Sequence, residues 1–493
     1  MKRFISLALS LAMLAMMFSA VSCGKDSGSE DTESGADTKN EENVILDDLP
    51  RDLNYNGATV MFHVVEKTPG EFNEVCTDYK GESVNDAIYN RDLTVSERLN
   101  VKFDKYEASH TDDGYDEELQ KLNNSILASS AAYDIVGGIA YRIPQLAARG
   151  VFLNLLNYEY INLDAEWWND SATEAFTLSG NLPLITGDIG ISFLGELSCY
   201  AFNEKVAEEN NLENLYDVVR EGKWTLDYLN STIKDMWRDL NSNGLRDEYD
   251  QFGQVVYHHY SATNYQTGAG IFLISKDENG IPHYDINEER MSNFLEKLKA
   301  LYWDNNGFYY DDSMSIEDQT PLPVTLFTED RCLFIQTTPK QNIKYLSGMD
   351  SKYGVLPSPK LNEEQSRYYS EVSAETVWGI PLDVKDPNMS SAVLEALAAE
   401  SYRTVTTQYF DLALKYRYAS DANVSEMMDL IRDTAYIDFA IAYNEAIGYP
   451  LFGVRQVVGA GGTSFSSFWA ANKRSLTKML DYIVNEMLDN AKN

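Results

Sequence analysis

Between Val60 and Ala140 the hydrophobic pattern switches period repeatedly, and this constrains the chain more than any single motif does. Val60 to Val65 reads as a strand, Val84 to Leu99 as a helix, Val101 to Tyr106 as a strand, Glu117 to Ala128 as a helix and Tyr133 to Ala140 as a strand. Strands that alternate with helices return parallel to one another, because each crossover helix must pack over a face of the sheet. The pattern therefore predicts an α/β fold with a mostly parallel sheet covered by helices. Farther on, Asp386 is placed to cap a helix that Pro387 starts and that runs through Ala398, and an amphipathic helix covers about Trp469 to Leu488. Pro and Gly cluster at Gly354 to Pro359 and at Gly459 to Gly462, which read as loops.

The beginning of the chain belongs to another class. Lys2 and Arg3 precede an apolar run from Phe4 to Phe18 that is short for a bilayer, and Ala20, Val21 and Ser22 lead into Cys23. Residues 1–22 read as a secretory signal. The tetrad Ala-Val-Ser-Cys resembles a bacterial lipobox, in which the cysteine is acylated and becomes the mature N-terminus; Ala20 stands where leucine is commoner. The plainer alternative is an ordinary signal peptide cut near an incidental Cys23. Residues 23–53 are expected to form an acidic, flexible tether, since the stretch from Gly24 to about Asn43 is dominated by Gly, Ser, Thr, Asp and Glu and has no aromatic residue to bury. About 440 residues follow it, and with 44% hydrophobic and 12% aromatic residues in the chain they suffice for two packed domains. A net charge of -37 argues against nucleic acid and against an anionic lipid surface, so a lipid chain rather than a basic face would hold the protein to a membrane. Beyond Cys23 only Cys76, Cys199 and Cys332 remain, which is no disulfide framework and offers no CxxC pair.

One motif carries metal chemistry. Asp239 to Asp250 reads DLNSNGLRDEYD, with Asp239, Asn241 and Asn243 at positions 1, 3 and 5 of a calcium loop, Gly244 at the turn, the Leu245 carbonyl at 7 and Asp247 at 9. Asp250 stands at position 12, one methylene short of the usual glutamate, so Glu248 is an alternative ligand there. Oxygen donors without His or Cys suit a hard cation, and an uncrowded loop favours Ca2+ over octahedral magnesium. An Asx-rich surface turn is the alternative. Leu226, Leu229, Ile233, Met236 and Trp237 before the loop have helical spacing, and Phe252, Val255, Val256 and Tyr257 after it look extended. A single clip between a helix and a strand pins a domain together rather than swinging one.

A set of short strings then carries a resemblance. Tyr133-Asp134-Ile135-Val136 with Leu146 to Gly150, Tyr200 to Lys205, Lys223-Trp224-Thr225, Leu326-Phe327-Thr328 with Arg331 to Phe334, and Tyr353 to Pro357 with Pro359 occur in an order that resembles the sugar-binding group of extracellular solute-binding proteins of bacterial ABC importers. The resemblance implies a two-lobe periplasmic-binding-protein-like fold of type II, with residues 54–192 and 372–415 in the first lobe and 193–371 and 416–493 in the second. It places hinge crossovers at the strand Ile189 to Tyr200 and near Val377 to Pro381. It also implies an extracytoplasmic protein, anchored through Cys23, that takes up a sugar or oligosaccharide and delivers it to ABC importer permease subunits.

A sugar offers CH faces and hydroxyls, so its site needs exposed aromatic rings and fixed polar groups. The candidates, at strand ends or crossings, are Tyr141, Trp167 or Trp168, Glu196, Tyr260, Thr338 and Trp378. Each has a plainer role: a tryptophan is more often core than platform, Thr338 before Pro339 can merely shape a turn, and Glu196 can be solvated. His258 and His259 adjoin Tyr260 but, as consecutive strand residues, point to opposite faces and are discounted as a metal pair. The rival classes are a secreted glycosidase working with two carboxylates and a surface adhesin. The sequence holds no GxSxG, HExxH or phosphate-loop motif, and so no spacing points to catalysis.

Overall fold

The computed structural model describes residues 46–67, 71–257, 261–311, 320–415, 422–460 and 464–490. Cys23, the signal and most of the tether lie outside the described residues, as do Tyr260, His258 and His259.

The chain enters its first sheet with β1 (Ala58–Val65), which buries Val60, Phe62 and Val64 on one face and His63 on the other. Helix α1 (Ser83–Leu99) buries Val84, Ile88, Val95 and Leu99 at helical spacing, and Asn100 ends it in the left-handed conformation. Next come β2 (Val101–Ala108), α2 (Asp112–Leu127), β3 (Ile135–Ile139), α3 (Pro144–Ala148) and α4 (Asp170–Phe176). β1 pairs in parallel with both β2 and β3, as the alternating pattern requires.

A second sheet follows. Its elements are β4 (Cys199–Asn203), α5 (Leu226–Ile233), β5 (Phe252–Tyr257), α6 (Glu288–Trp303), β6 (Phe308–Asp311), β7 (Cys332–Thr337) and β8 (Tyr353–Leu356). The order is β8-β4-β7-β5-β6, with β5 parallel to β6 and β7, and β4 antiparallel to β7 and β8. The chain then returns to the first sheet through β9 (Thr376–Gly379), antiparallel to β3, which gives β9-β3-β1-β2. Helix α7 (Pro387–Glu400) has the expected start, since the Asp386 carboxylate accepts from the Met389 amide at 3.0 Å. α8 (Phe439–Ala442) and α9 (Phe465–Asn490) close the chain. Cys199 and Cys332 are fully buried in strands, and burial pushes both thiols up to about 12, so neither is a nucleophile. Among the described residues no helix is long and apolar enough to cross a membrane.

Three segments join the two sheet-centred lobes side by side. The Ser198 amide donates to the Glu371 carbonyl at 2.8 Å, and Ser370–Glu371 pairs in parallel with Ala435–Tyr436. The expected strand from Ile189 to Tyr200 is interrupted by a helical turn at Ile191–Gly195, which lets the Ser192 hydroxyl accept from the Thr376 amide at 2.8 Å. The stretch Val377 to Pro381 is not the second crossing, because β9 already belongs to the first sheet; the chain crosses just before it, after Glu371. Gly354, expected in a loop, lies in β8, where a Cβ would stand 2.2 Å from the Tyr216 hydroxyl and 2.3 Å from the Phe202 ring. That glycine serves close packing, not a turn. Gly459, also expected in a loop, is part of the helix Phe452–Ala460.

The last part of the chain touches both lobes. α8 packs on α4. α9, about 39 Å long at 1.5 Å per residue, meets the hairpin Ile274–Lys276/Pro282–Tyr284 where Trp469 lies 5.0 Å from Tyr284, and its Asn490 side chain donates to the Ala148 carbonyl at 3.1 Å. Near the hinge Arg91 is 1% exposed and donates to Asp92, to the carbonyls of Ile189 and Glu74 and to the Ser401 hydroxyl. A buried guanidinium is tolerable only with its donors satisfied in this way.

Candidate functional site

Parallel strands point their carboxyl ends at a common edge, and in α/β sheets that edge is where ligands bind. Here β3, β5, β6 and β7 end around a cleft of about 1530 Å³. Tyr141 and Arg142 follow β3, Tyr309 lies on β6, Gln336 and Thr337 end β7, and Thr338 follows. Glu371 and Ser373 of the hinge, and the segment carrying Asn444, Glu445 and Tyr449, complete the wall. Tyr141 is 40% exposed and Tyr449 51%, while Tyr309 and Tyr345 are half-buried. Tyr449 owes its position to a turn: it has a φ of 60°, follows Gly448 and donates its amide to the Asn444 carbonyl at 2.7 Å. The side-chain oxygens of Gln336 and Asn444 are buried without a hydrogen-bond partner.

Two of the expected ligand residues meet in this cleft, Tyr141 and Thr338. Thr338 also caps the next turn, its hydroxyl accepting from the Gln341 amide at 3.3 Å. Glu196 is bound instead by the Lys340 ammonium, which also reaches Glu71 at 3.1 Å. Trp167 and Trp168 are buried and donate their indole N–H groups to one carboxylate, Glu395 of α7, at 3.2 and 2.9 Å. They border a separate groove of about 540 Å³, beside the Asp188–Arg432 ion pair. Trp378 has no exposed surface; its ring lies edge-on to Phe62 at 6.4 Å and so close to β3 that a Cβ on Gly137 would stand 2.8 Å from it. Its ring faces are closed to a ligand. Tyr309, Tyr345, Tyr449, Gln336 and Asn444 escaped the sequence reading; only Gly448-Tyr449-Pro450, a turn signal carrying an aromatic, offered a clue.

The hinge stretch that lines the cleft at Glu371 and Ser373 holds two unusual acids. Glu371 is buried, which raises its pKa against the hydrogen bond from the Thr267 hydroxyl at 2.9 Å and the charge of Arg455. Glu375, four residues on, is fully buried with neither oxygen partnered, and burial, helped by the charges of Glu196 and Glu371, pushes it up to about 8. Burial thus favours its protonated form.

The loop from Asp239 to Asp250 lies between α5 and β5, so the expected helix, loop and strand are present, although the helix stops at Ile233. Asp239 accepts from the amides of Asn243 and Gly244 at 3.2 and 2.8 Å, and Asn243 from Leu245 at 2.7 Å. The side-chain amides of Asn241 and Asn243 donate to Asp247, whose carboxyl is lowered chiefly by Asn243. Asp250 is fully buried, and its oxygens accept from the Trp237 indole at 2.9 Å and the Leu240 amide at 3.1 Å. Glu248 is exposed and borders the cleft. The oxygen set at Asp239, Asn241, Asn243, Leu245 and Asp247 fits a hard cation in its chemistry. Among the described residues no three His, Cys, Asp or Glu side chains converge as a metal site.

The sequence matches no family model and no curated protein. Its fold is similar to that of a cyclic alpha-maltosyl-1,6-maltose binding protein from Arthrobacter globiformis, with a TM-score of 0.58 and 13% identity over 86% of this chain and 99% of that one. An ABC substrate-binding protein from Listeria monocytogenes, solved with cycloalternan, gives a TM-score of 0.53 at 13% identity over 87% and 99%. A family 1 extracellular solute-binding protein from Bifidobacterium longum subsp. infantis gives 0.52 at 13% identity over 87% and 99%. The shared feature is the two-lobe periplasmic-binding-protein-like α/β fold.

Proposed function

We propose that the protein is an extracytoplasmic solute-binding protein that captures a carbohydrate-like ligand between its lobes and delivers it to an ABC importer. The observation that carries this reading is the cleft at the carboxyl ends of both sets of parallel strands, walled by tyrosines and side-chain amides. Tyrosine rings cover CH faces, and amide and hydroxyl groups match sugar hydroxyls without needing charge. The similar folds support it, being those of sugar-binding and solute-binding proteins. The role is capture rather than catalysis. Titration with a library of soluble sugars, followed by calorimetry and small-angle scattering, should find a ligand that binds and compacts the protein. Cleavage of oligosaccharides without compaction would favour the glycosidase, and attachment to a surface without any soluble ligand would favour an adhesin.

In the same reading Cys23 carries the lipid that anchors the protein, and the tether expected over residues 23–53 ends before Asp47, which is buried and paired with Arg98, and Leu49, which lies in the core. One acyl chain anchors only marginally, so a diacylglycerol-type mass increment is expected on the N-terminal peptide, and Cys23→Ser should release or leave unprocessed the membrane-bound form. The loop at Asp239 binds Ca2+ as a structural clip, supported by its donor set and by its place between α5 and β5.

A further inference from the structure

We infer that Lys340 and Lys276 are positioning residues: each reaches from the second lobe to the first, and together they fix the angle between the lobes, and so the width of the cleft, before any ligand arrives. The inference needs the two lobes and not the carbohydrate reading.

Lys340 follows β7 of the second sheet, between Thr338 and Gln341 of the cleft wall. Its ammonium binds Glu196 and reaches Glu71 at 3.1 Å. Both carboxylates belong to segments held by β9 of the first sheet. Glu71 lies just before Glu74, which accepts from the Thr376 hydroxyl at 3.0 Å, and Glu196 ends the helical turn whose Ser192 accepts from the Thr376 amide at 2.8 Å. Lys276 makes the second contact. It ends a strand of the hairpin Ile274–Lys276/Pro282–Tyr284, which leads into α6, and α6 is fixed to the second sheet where Tyr302 lies 4.4 Å from Phe308 of β6. The Lys276 ammonium donates to the carbonyls of Glu174, Ala175 and Thr177, the last two at 3.5 and 2.7 Å, where α4 of the first lobe ends. The last carbonyls of a helix lack partners within it and carry partial negative charge, so an ammonium with three donors matches them in sign and number. The chain beyond α4 is bound to the first sheet through Ile185 and Trp378. The two contacts lie apart: Lys276 and Glu174 line a cavity of about 440 Å³ that shares no described wall residue with the cleft. One tether can act as a pivot, whereas two at separate places hold the angle. Each is modest alone, since the Lys340 side chain is 40% exposed and exposed ion pairs are weak. Lobe arrangements differ by small free energies, however, and contacts of this size decide their populations.

The test follows the ligand-free protein by small-angle scattering at pH 6.5, below the value of about 8 to which burial pushes the Lys276 ammonium. Lys340→Met and Lys276→Met, each checked for cooperative melting, should have a larger radius of gyration than the wild type, and the double variant a larger one than either. Glu71→Gln combined with Glu196→Gln should expand the protein as Lys340→Met does, which supplies the measurement should that variant fail to fold. Lys340→Arg should return the wild-type dimensions, because a guanidinium also spans two carboxylates. A double lysine variant that melts cooperatively at wild-type dimensions overturns the inference. So does an expansion of Lys340→Met that arginine fails to reverse, since that marks lost packing rather than a lost charge. A sugar library without a binder overturns the carbohydrate reading alone, because no ligand enters this experiment.

Discussion

Trp378 shows how a single residue can carry the right chemistry in the wrong place. An indole beside a lobe crossing is a natural stacking platform, but this ring is sealed between β3 and Phe62, over a glycine whose missing Cβ makes room for it. Trp378→Ala is therefore expected to cost about 3–5 kcal/mol of stability, seen in the denaturant midpoint, with little change in ligand affinity of the protein that remains folded. A loss of about 1–3 kcal/mol in affinity at unchanged stability would instead put the ring in the site. Trp167 and Trp168 teach the same lesson, since both answer to Glu395, more than two hundred residues away in sequence. Side-chain chemistry is legible in a sequence, whereas the covering of a ring by distant chain is not. Tyr141 and Thr338 were legible because each follows a strand whose carboxyl end could be read locally. Gln336 and Asn444 were not, because an amide on a wall looks like any other amide until the opposite wall is known.

At the scale of elements the local signals were sufficient for β1 to β3 and α1, where periodicity decides, and for α7, where a cap adds to it. They failed at the crossings, where Ile191–Gly195 turns helical and its Ser192 hydroxyl bonds both the amide and the hydroxyl of the distant Thr376, and at Gly354, which lies in β8 against the partner strand's Phe202. The Asp239 loop sits between these cases, because its flanking helix and strand are present, although the helix ends before Met236 and Trp237, and its last position behaves otherwise. Asp250 belongs to the core through Trp237 and Leu240, which leaves Glu248 as the acid free to approach an ion from outside. If calcium binds there with the ~0.1–1 mM affinity of extracellular modules, it should raise the melting temperature by linkage, and chelation should lower it. Asp239→Ala should abolish both responses. A wild type whose melting ignores calcium and chelator alike would reduce the loop to a turn.

Protons are the ligand to which the whole molecule answers. Burial pushes Glu375 up to about 8 and both Glu395 and Asp438 up to about 7. In the unfolded chain such carboxyls ionise near pH 4, so the native state holds protons that the unfolded state has lost. This part of the stability is fully present below about pH 4 and is lost as pH rises through 7 and 8. Other groups work in the opposite sense: Glu74, whose burial is outweighed by Lys67, and Asp330, whose desolvation is outweighed by Lys205, are lowered, and their contribution is lost as pH falls through their folded values. The two sets together place the stability maximum on the acid side of neutrality. The net charge of -37 shifts it the same way, because each proton gained relieves self-repulsion. Melting temperature should thus be higher at pH 6 than at pH 8.5. Glu375→Gln keeps the shape of the neutral acid and removes its titration, so it should flatten the decline between pH 7 and 8.5. A wild-type melting temperature that rises across that interval, or a Gln variant that declines as steeply as the wild type, would show that the hinge acid is ionised in the folded protein.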